Sequence, residues 1–197
     1  AYEFSDAKFL IYTNIDIAVQ PHFYQSIDLL INQDKPAATI TRRTISAAYQ
    51  HVEELPIMYA EIGQPHRGWD TYVFPREWVP QLVLGNTCLG APLVGLVMIA
   101  NLISLDQTFR EFTDLHLTFH LGNDRQWSSK ASTEYFDYNR QQAALVLTSL
   151  ESKYGRFKAE TPPGKYLFFH RYALLGRLYD LITSRIYLPP RLTRRQP

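Results

Sequence analysis

The chain has 197 residues, of which 46% are hydrophobic and 20% charged, and its 20 Lys and Arg against 19 Asp and Glu leave a net charge of +1. This composition excludes an extended disordered chain, and the near-zero net charge argues against a nucleic-acid partner. The single cysteine, Cys88, cannot form an intrachain disulfide, and no Asn-x-Ser/Thr sequon occurs, which predicts a reducing, cytoplasmic location. Because the sequence opens on Ala1 without an initiator methionine or a signal peptide, we expect a fragment or a processed piece.

The first half of the chain alternates between strand and helix patterns. The predicted elements are a strand within residues 8–19 that ends near Asn14 and Asp16, a helix over 22–32, a strand over 37–44, a short helix over 44–54, a loop over 62–67 and a short strand over 69–74.

The longest apolar run, residues 89–105, is shorter than the roughly 20 residues that a membrane-spanning helix needs. It predicts a buried helix with Pro92 in its first turn, where the missing N–H costs nothing. Later elements are a strand over 116–121 and helices over 140–154 and 165–187. The alternation predicts an α/β fold, with a mixed sheet flanked by helices, over residues 1–164.

An apolar strand delivers Asn14 and Asp16 to its carboxyl end, a few residues before a predicted helix. Ligands bind at that edge of open α/β sheets, and an Asp there can hold a divalent cation that neutralises a diphosphate. The alternative is that the two side chains cap a turn by binding nearby backbone N–H groups.

Aromatic and charged residues alternate over residues 68–78. Aromatic faces beside carboxylates are suited to sugar rings, whose C–H face stacks while their hydroxyls need paired acceptors. The alternative is an aromatic core strand with one edge in water. The side chains concerned are Trp69, Asp70, Tyr72, Phe74, Arg76, Glu77 and Trp78.

Two histidines, His116 and His120, lie four residues apart on a predicted strand and share one face of it. Neutral imidazole is a common metal ligand, so either is a candidate, with a hydrogen-bonded structural role as the alternative. No CxxC or HExxH pattern accompanies them, so a tetrahedral zinc site is not predicted.

Taken in order, these three features resemble the second half of a GT-A glycosyltransferase catalytic domain, over roughly residues 8–125. The resemblance rests on the strand and acidic turn at residues 12–17, on the segment 68–76 and on the late segment 117–122. In that family an Asp-x-Asp element closes a strand and holds Mn²⁺ or Mg²⁺ on the diphosphate of a nucleotide-sugar, and a late histidine often joins the metal.

The resemblance implies transfer of a sugar from a nucleotide-sugar donor to a carbohydrate or lipid-linked acceptor, with Mn²⁺ or Mg²⁺ as cofactor. Asp16 matches the last Asp of the metal element and His120 the late histidine, so both are expected metal ligands. Asp70, with Glu77 as second choice, is expected to hold or deprotonate the acceptor hydroxyl. The expected substrate-binding residues are Asn14, Trp69, Arg76 and Trp78.

The sequence departs from that family in three ways. Asn14 replaces the first Asp, residues 92–105 contain no Asp or Glu, and only thirteen residues precede Asn14, where the family's nucleotide-binding half normally lies. The chain is therefore expected to lack that half or to have lost the usual way of binding a nucleotide. A non-catalytic carbohydrate- or partner-binding module and a metal-dependent phosphohydrolase using Asp16 are the alternatives.

Residues 165–197 form a basic segment, with seven Lys and Arg against Asp180 alone. Apolar residues at helical spacing predict an amphipathic helix, which either contacts an anionic membrane surface or packs on the sheet with its Arg side chains in water.

Overall fold

The computed structural model describes residues 2–31, 37–66, 68–106, 109–122 and 133–157, together with Leu167 and Leu178. Within these ranges the protein is mixed α/β, with two mixed four-stranded sheets and flanking helices. The α-helices are α1 (Phe23–Ile31), α2 (Leu55–Ala60), α3 (Val94–Leu105) and α4 (Thr133–Tyr154), and 3₁₀ turns occur at Tyr2–Phe4, Val52–Glu54 and Arg76–Gln81.

The first sheet has a central strand that is antiparallel to both of its neighbours. Its strands, in spatial order, are β1 (Phe9–Thr13), β6 (Thr71–Pro75), β3 (Ala38–Ile40) and β7 (Arg110–Phe112). Strand β7 runs parallel to β3, so the sheet is mixed.

The second sheet is built from shorter strands. Its order is β2 (Ala18–Val19), β8 (Thr118–Leu121), β4 (Arg43–Ile45) and β5 (Gln64–Pro65). Here β8 is antiparallel to β2 and parallel to β4, and β4 is antiparallel to β5.

The chain crosses from the first sheet to the second three times, between β1 and β2, between β3 and β4, and between β7 and β8. The strand predicted over residues 37–44 was therefore wrong, because this segment forms two strands of different sheets, β3 and β4. The strand predicted from residue 8 to an end near Asn14 and Asp16 is confirmed as β1, and residues 18–19 belong to β2 of the second sheet. Side-chain alternation reports burial and does not show which neighbour a strand will pair with.

The buried core lies on both faces of the first sheet, and β6 contributes to both. Tyr72 and Phe74 pack with α3 and α4, whereas Val73 packs on the other face with Phe23 and Ile27 of α1. Successive side chains of a strand point to opposite faces, so this one strand joins the two halves of the core.

Helices α1 and α3 confirm the helical spacing seen in the sequence, with corrections at the ends. Helix α3 begins at Val94, after Leu93 in a left-handed conformation (φ 79°), so Pro92 precedes the helix and does not lie in its first turn. Helix α4 begins at Thr133 and not near Arg140. None of the helices in the described ranges is long and apolar enough to span a bilayer.

The helix predicted over residues 44–54 was wrong. Thr44 and Ile45 belong to β4, a loop follows, and regular helix begins only at Leu55, with Pro56 in its first turn. Proline restricts the residue before it and is favoured at a helix start, so the helix forms after the loop. The helix predicted over 165–187, the boundary at 164 and the basic tail lie outside the described residues, apart from Leu167 and Leu178.

Candidate functional site at the junction of the two sheets

Three polar residues meet where the chain leaves the first sheet. Asn14 follows β1, Arg42 lies between β3 and β4, and Asp70 immediately precedes β6. Because β6 is antiparallel to β1 and β3, its first residue pairs with their last residues, as Thr71 does with Thr13. The strand order therefore brings together side chains that are far apart in the sequence.

Asp70 is the buried centre of this group, with 7% of its surface exposed. Its Oδ1 accepts a hydrogen bond from Asn14 Nδ2 at 3.0 Å and lies 3.5 Å from Arg42 Nη1. Its Oδ2 is buried and has no hydrogen-bond partner among the residues that the structure describes. Burial raises the pKa of Asp70, the positive charge of Arg42 partly opposes that rise, and the nearby carboxylate of Asp16 adds to it.

Asp16 and His120 form the second part of the site. Asp16 lies in the turn between β1 and β2, and β8 carries His120 beside β2. The Oδ2 atom of Asp16 is 3.2 Å from Nε2 of His120. The His120 side chain is 9% exposed and that of Asp16 55% exposed, so the imidazole is anchored in the protein while the carboxylate faces solvent.

The contact of the other ring nitrogen of His120 shows which nitrogen carries the hydrogen. Nδ1 of His120 is 2.9 Å from the carbonyl oxygen of Gly122, and since a carbonyl only accepts, Nδ1 carries the hydrogen. In a neutral ring, Nε2 then presents a lone pair to the carboxylate of Asp16. Two acceptors at this distance need a shared proton or a cation that both of them ligate.

The donor atoms fit a divalent cation that is shared with a substrate. Neighbouring ligands of an octahedral Mg²⁺ ion are about 3 Å apart, close to the separation of Asp16 Oδ2 and His120 Nε2. Within the described ranges, no three His, Cys, Asp or Glu residues form a group that could hold a metal. Mg²⁺ sites commonly use one or two carboxylates together with water and substrate phosphate, and the exposed carboxylate of Asp16 is suited to that arrangement.

A cleft of about 670 Å³ opens beside Asp16 and His120. This volume is within the range of small-molecule sites. Its other walls come from β2, β8, α2 and the loop before α2. The lining residues are Asp16, Ala18, Tyr49, Gln50, His51, Val52, Leu55, Met58, Phe119, His120 and Leu121.

Two glutamates hold the loop that forms one wall of the cleft. The carboxylate of Glu54 accepts the backbone N–H groups of Gln50 and His51, both at 2.8 Å, and these bonds lower the pKa of Glu54. Glu61 accepts the hydroxyl of Tyr49 at 2.7 Å, which raises the pKa of that phenol. Both carboxylates are thus engaged with the loop itself, and neither lines the cleft.

The structure does not bring Arg76, Glu77 and Trp78 to this site. They follow β6, whereas Asp70 precedes it, and a strand of this length separates its two ends by about 17 Å. The guanidinium of Arg76 donates to the carbonyl oxygen of Tyr2 at 2.6 and 3.1 Å and lies over its ring. Glu77 is exposed, and Trp78 packs against the large core, so the expected grouping of these residues with Asp70 is not formed.

Trp69 and His116 border the site without joining the pair. The indole of Trp69 donates to Glu111 Oε1 at 2.9 Å and packs against the large core. His116 lies just before β8, with a left-handed backbone (φ 47°) and its Nε2 atom 3.3 Å from Gln20 Nε2. Of the two histidines, the structure therefore places only His120 beside Asp16.

Sequence reasoning missed Arg42 and the wall around Tyr49 and His51. Arg42 and Arg43 are adjacent in a predicted strand, and which of them faces Asp70 depends on the crossing between β3 and β4. The loop between β4 and α2 was missed because the residue pattern over 44–54 predicts a helix. Only Glu54, three residues after His51 and followed by an apolar run, pointed to a helix start there.

No protein-family model matches this chain, and a comparison with curated proteins finds no significant match.

Proposed function

We propose that this chain is a GT-A-like glycosyltransferase domain that transfers a sugar from a nucleotide-sugar to an acceptor hydroxyl. The observation that supports it most strongly is the 3.2 Å approach of Asp16 Oδ2 to His120 Nε2, in residues 104 positions apart. Both residues match metal-binding positions of the GT-A pattern. A cleft of small-molecule size beside them offers room for a substrate.

In this proposal, Asp16 and His120 hold a Mn²⁺ or Mg²⁺ ion. When bound, the ion neutralises charge on the departing diphosphate. His120 is fixed for this task by the bond from Nδ1 to Gly122, which leaves Nε2 as the ligand atom. Asp16 contributes a negative charge on the solvent side, where a substrate phosphate has access.

Asp70 and Asn14 position the turn that carries Asp16. The amide of Asn14 donates to Asp70 Oδ1, and the backbone N–H of Asn14 donates to the carbonyl oxygen of Asp70 at 3.2 Å. These two bonds tie the start of the turn to β6. The raised pKa of Asp70 is suited to a general base. Its Oδ2 atom is shielded from solvent, however, so the role that we assign to Asp70 is positioning. Deprotonation of the acceptor by Asp70 stays a prediction.

The alternative function is a non-catalytic carbohydrate- or partner-binding module derived from the same fold. The burial of Asp70 favours it, because the carboxylate expected to serve the acceptor is enclosed by protein. In that case the cleft would bind its ligand without a metal.

The test is a thermal-shift series with UDP-glucose and GDP-mannose, each with and without Mn²⁺. We expect a Mn²⁺-dependent rise in Tm of about 5 °C or more for one donor at about 100 times its Kd. Asp16→Asn and His120→Gln are expected to weaken Mn²⁺ binding at least about tenfold in calorimetry.

The matched control is Asp28→Asn, which makes the same change at an exposed position on α1 and should bind Mn²⁺ as the parent does. A stabilising effect of sugar without any need for metal would support the binding module. Mn²⁺ affinity unchanged by Asp16→Asn would remove the assigned site.

A further inference from the structure

The cleft beside Asp16 and His120 has a wall of mixed chemistry. Among the described residues that line it, the polar ones besides the Asp16–His120 pair are Tyr49, Gln50 and His51. The remaining lining side chains are apolar and come from β2, β8, α2 and the turn before it. They are Ala18, Val52, Leu55, Met58, Phe119 and Leu121.

Charged recognition groups for a second sugar or a phosphate are scarce along this wall. Among the described residues that line the cleft there is no Lys or Arg, and Asp16 is its sole carboxylate. The carboxylates of Glu54 and Glu61 already accept hydrogen bonds within that wall. Glu54 accepts the backbone N–H groups of the loop and Glu61 the hydroxyl of Tyr49. A sugar ring filling the cleft would place hydroxyls without hydrogen-bond partners against apolar side chains. Each such hydroxyl would make the free energy of binding less favourable.

Two of the apolar side chains that line the cleft are exposed to solvent. Val52 is 69% exposed and Leu121 is 40% exposed, and both line the cleft. Their surfaces would gain free energy by covering an alkyl or aryl group, in proportion to the area removed from water. The apolar part of the wall, next to the polar Asp16–His120 pair, is therefore complementary to an amphiphilic molecule.

We propose that the acceptor is an uncharged amphiphile, with its hydroxyl-bearing head beside Asp16 and His120 and an alkyl chain along Val52, Leu55 and Leu121. This inference rests on the proposed function, since it identifies the cleft ligand as the acceptor.

The test measures equilibrium binding of methyl, butyl, hexyl and octyl glucosides below their critical micelle concentrations, by calorimetry or ligand-observed NMR, without donor or metal. We expect affinity to rise about threefold for each methylene that enters the cleft. Val52→Ser should reduce octyl glucoside affinity about fivefold and leave methyl glucoside binding unchanged.

Ile62→Ser is the matched control, because Ile62 is a β-branched residue 70% exposed that does not line the cleft. Ala18→Phe is a second variant that fills the cleft from the exposed face of the edge strand β2, where an aromatic side chain suits a strand. It should abolish the dependence on chain length while the circular dichroism spectrum is retained.

The same variants separate this inference from the proposed function. Affinity that does not grow with chain length, or that Val52→Ser and Ile62→Ser reduce equally, would overturn the amphiphile, even if Mn²⁺-dependent donor binding is found. If Val52→Ser removed the donor-induced thermal shift, the cleft would be a donor site and the inference would fail. Chain-length-dependent binding that Val52→Ser weakens, with the donor-induced shift retained, supports it.

Discussion

Two buried polar regions of this protein differ in how completely their hydrogen bonds are made. In the first, Asn101 of α3 accepts Val83 N–H at 2.6 Å and donates to the carbonyl oxygens of Val83 at 2.9 Å and Val97 at 2.8 Å. Asn139 of α4 binds Cys88 in the same way, through both its N–H and its carbonyl, and also donates to the carbonyl of Pro92. Both amides hold the connection before α3 against the two helices.

The junction cluster has the opposite character. Asp70 Oδ2 and Arg42 Nε are buried and have no hydrogen-bond partner in the described part of the chain, and Asp16 extends from the same cluster into solvent. A saturated amide has no remaining capacity and serves structure alone, whereas an unsaturated group retains the capacity to bind something else. The hydrogen-bonded amides of α3 and α4 therefore stabilise the fold, whereas the junction cluster contains the residues of the candidate site.

The largest expected effect is on the saturated side, in Asn101→Ala. This change leaves Val83 N–H and two carbonyl groups without their partner in the interior, so we expect the free energy of unfolding to fall by about 3 kcal/mol. Urea unfolding measures it, with Mn²⁺ affinity of the folded variant expected to stay at the parent value. A loss below about 0.5 kcal/mol would show that the amide does not anchor the connection.

Asp70→Ala should come second, with a loss of about 2 kcal/mol. It removes the acceptor for Asn14 and leaves the guanidinium of Arg42, whose side chain is 11% exposed, without its counter-charge. Unlike Asn101→Ala, it should also weaken Mn²⁺ binding, because the turn that carries Asp16 loses one of its two bonds to β6, the one from the Asn14 amide. An unchanged Mn²⁺ affinity in this variant would argue against the positioning role.

The pH dependence of Asp70 sharpens the same contrast. Its pKa is raised in the folded state, so between the ordinary value of 3.8 and the raised one the native protein binds more protons than the unfolded chain. Stability therefore falls as pH rises through that window, and the cost of the charge is complete above the folded pKa. Asp70→Asn should remove this component from urea midpoints measured across the window; a parallel profile would contradict it.

Asn14→Asp tests why this chain has an amide where the GT-A pattern has a first Asp. The new carboxylate would face Asp70 Oδ1, at the 3.0 Å separation now occupied by a hydrogen bond. We expect a loss of about 1 kcal/mol at pH 7, recovered on acidification as one carboxyl takes up a proton. Thermal unfolding at pH 5 and 7 measures it, and equal stability at both values would show that Asn14 is not tuned to Asp70.

The smallest effect should follow from His116→Asn. Burial lowers the pKa of His116, so its contribution is present above the ordinary pKa of 6.5 and is lost as pH falls through the folded value. Because the ring is largely solvated, the change should stay below about 0.5 kcal/mol. Asn also tolerates the left-handed backbone found there, so the variant should fold and show a flatter stability profile below pH 6.5.

Much of the local structure was already present in the sequence. Helices α1 and α3 and strands β1, β6 and β8 were predicted from side-chain spacing, because burial on one face leaves a periodic pattern wherever the element lies. The resemblance to the GT-A pattern also paired Asp16 with His120, and in the structure Asp16 Oδ2 lies 3.2 Å from His120 Nε2.

Tertiary structure alone decided which residues surround that pair. The crossing between β3 and β4 turned the strand predicted over residues 37–44 into two and directed Arg42 to Asp70. A strand's neighbours depend on pairing between distant segments, which local periodicity does not encode. The cleft wall beside His120 likewise depends on Glu54 and Glu61 binding the loop before α2, contacts that exist only once the chain has folded.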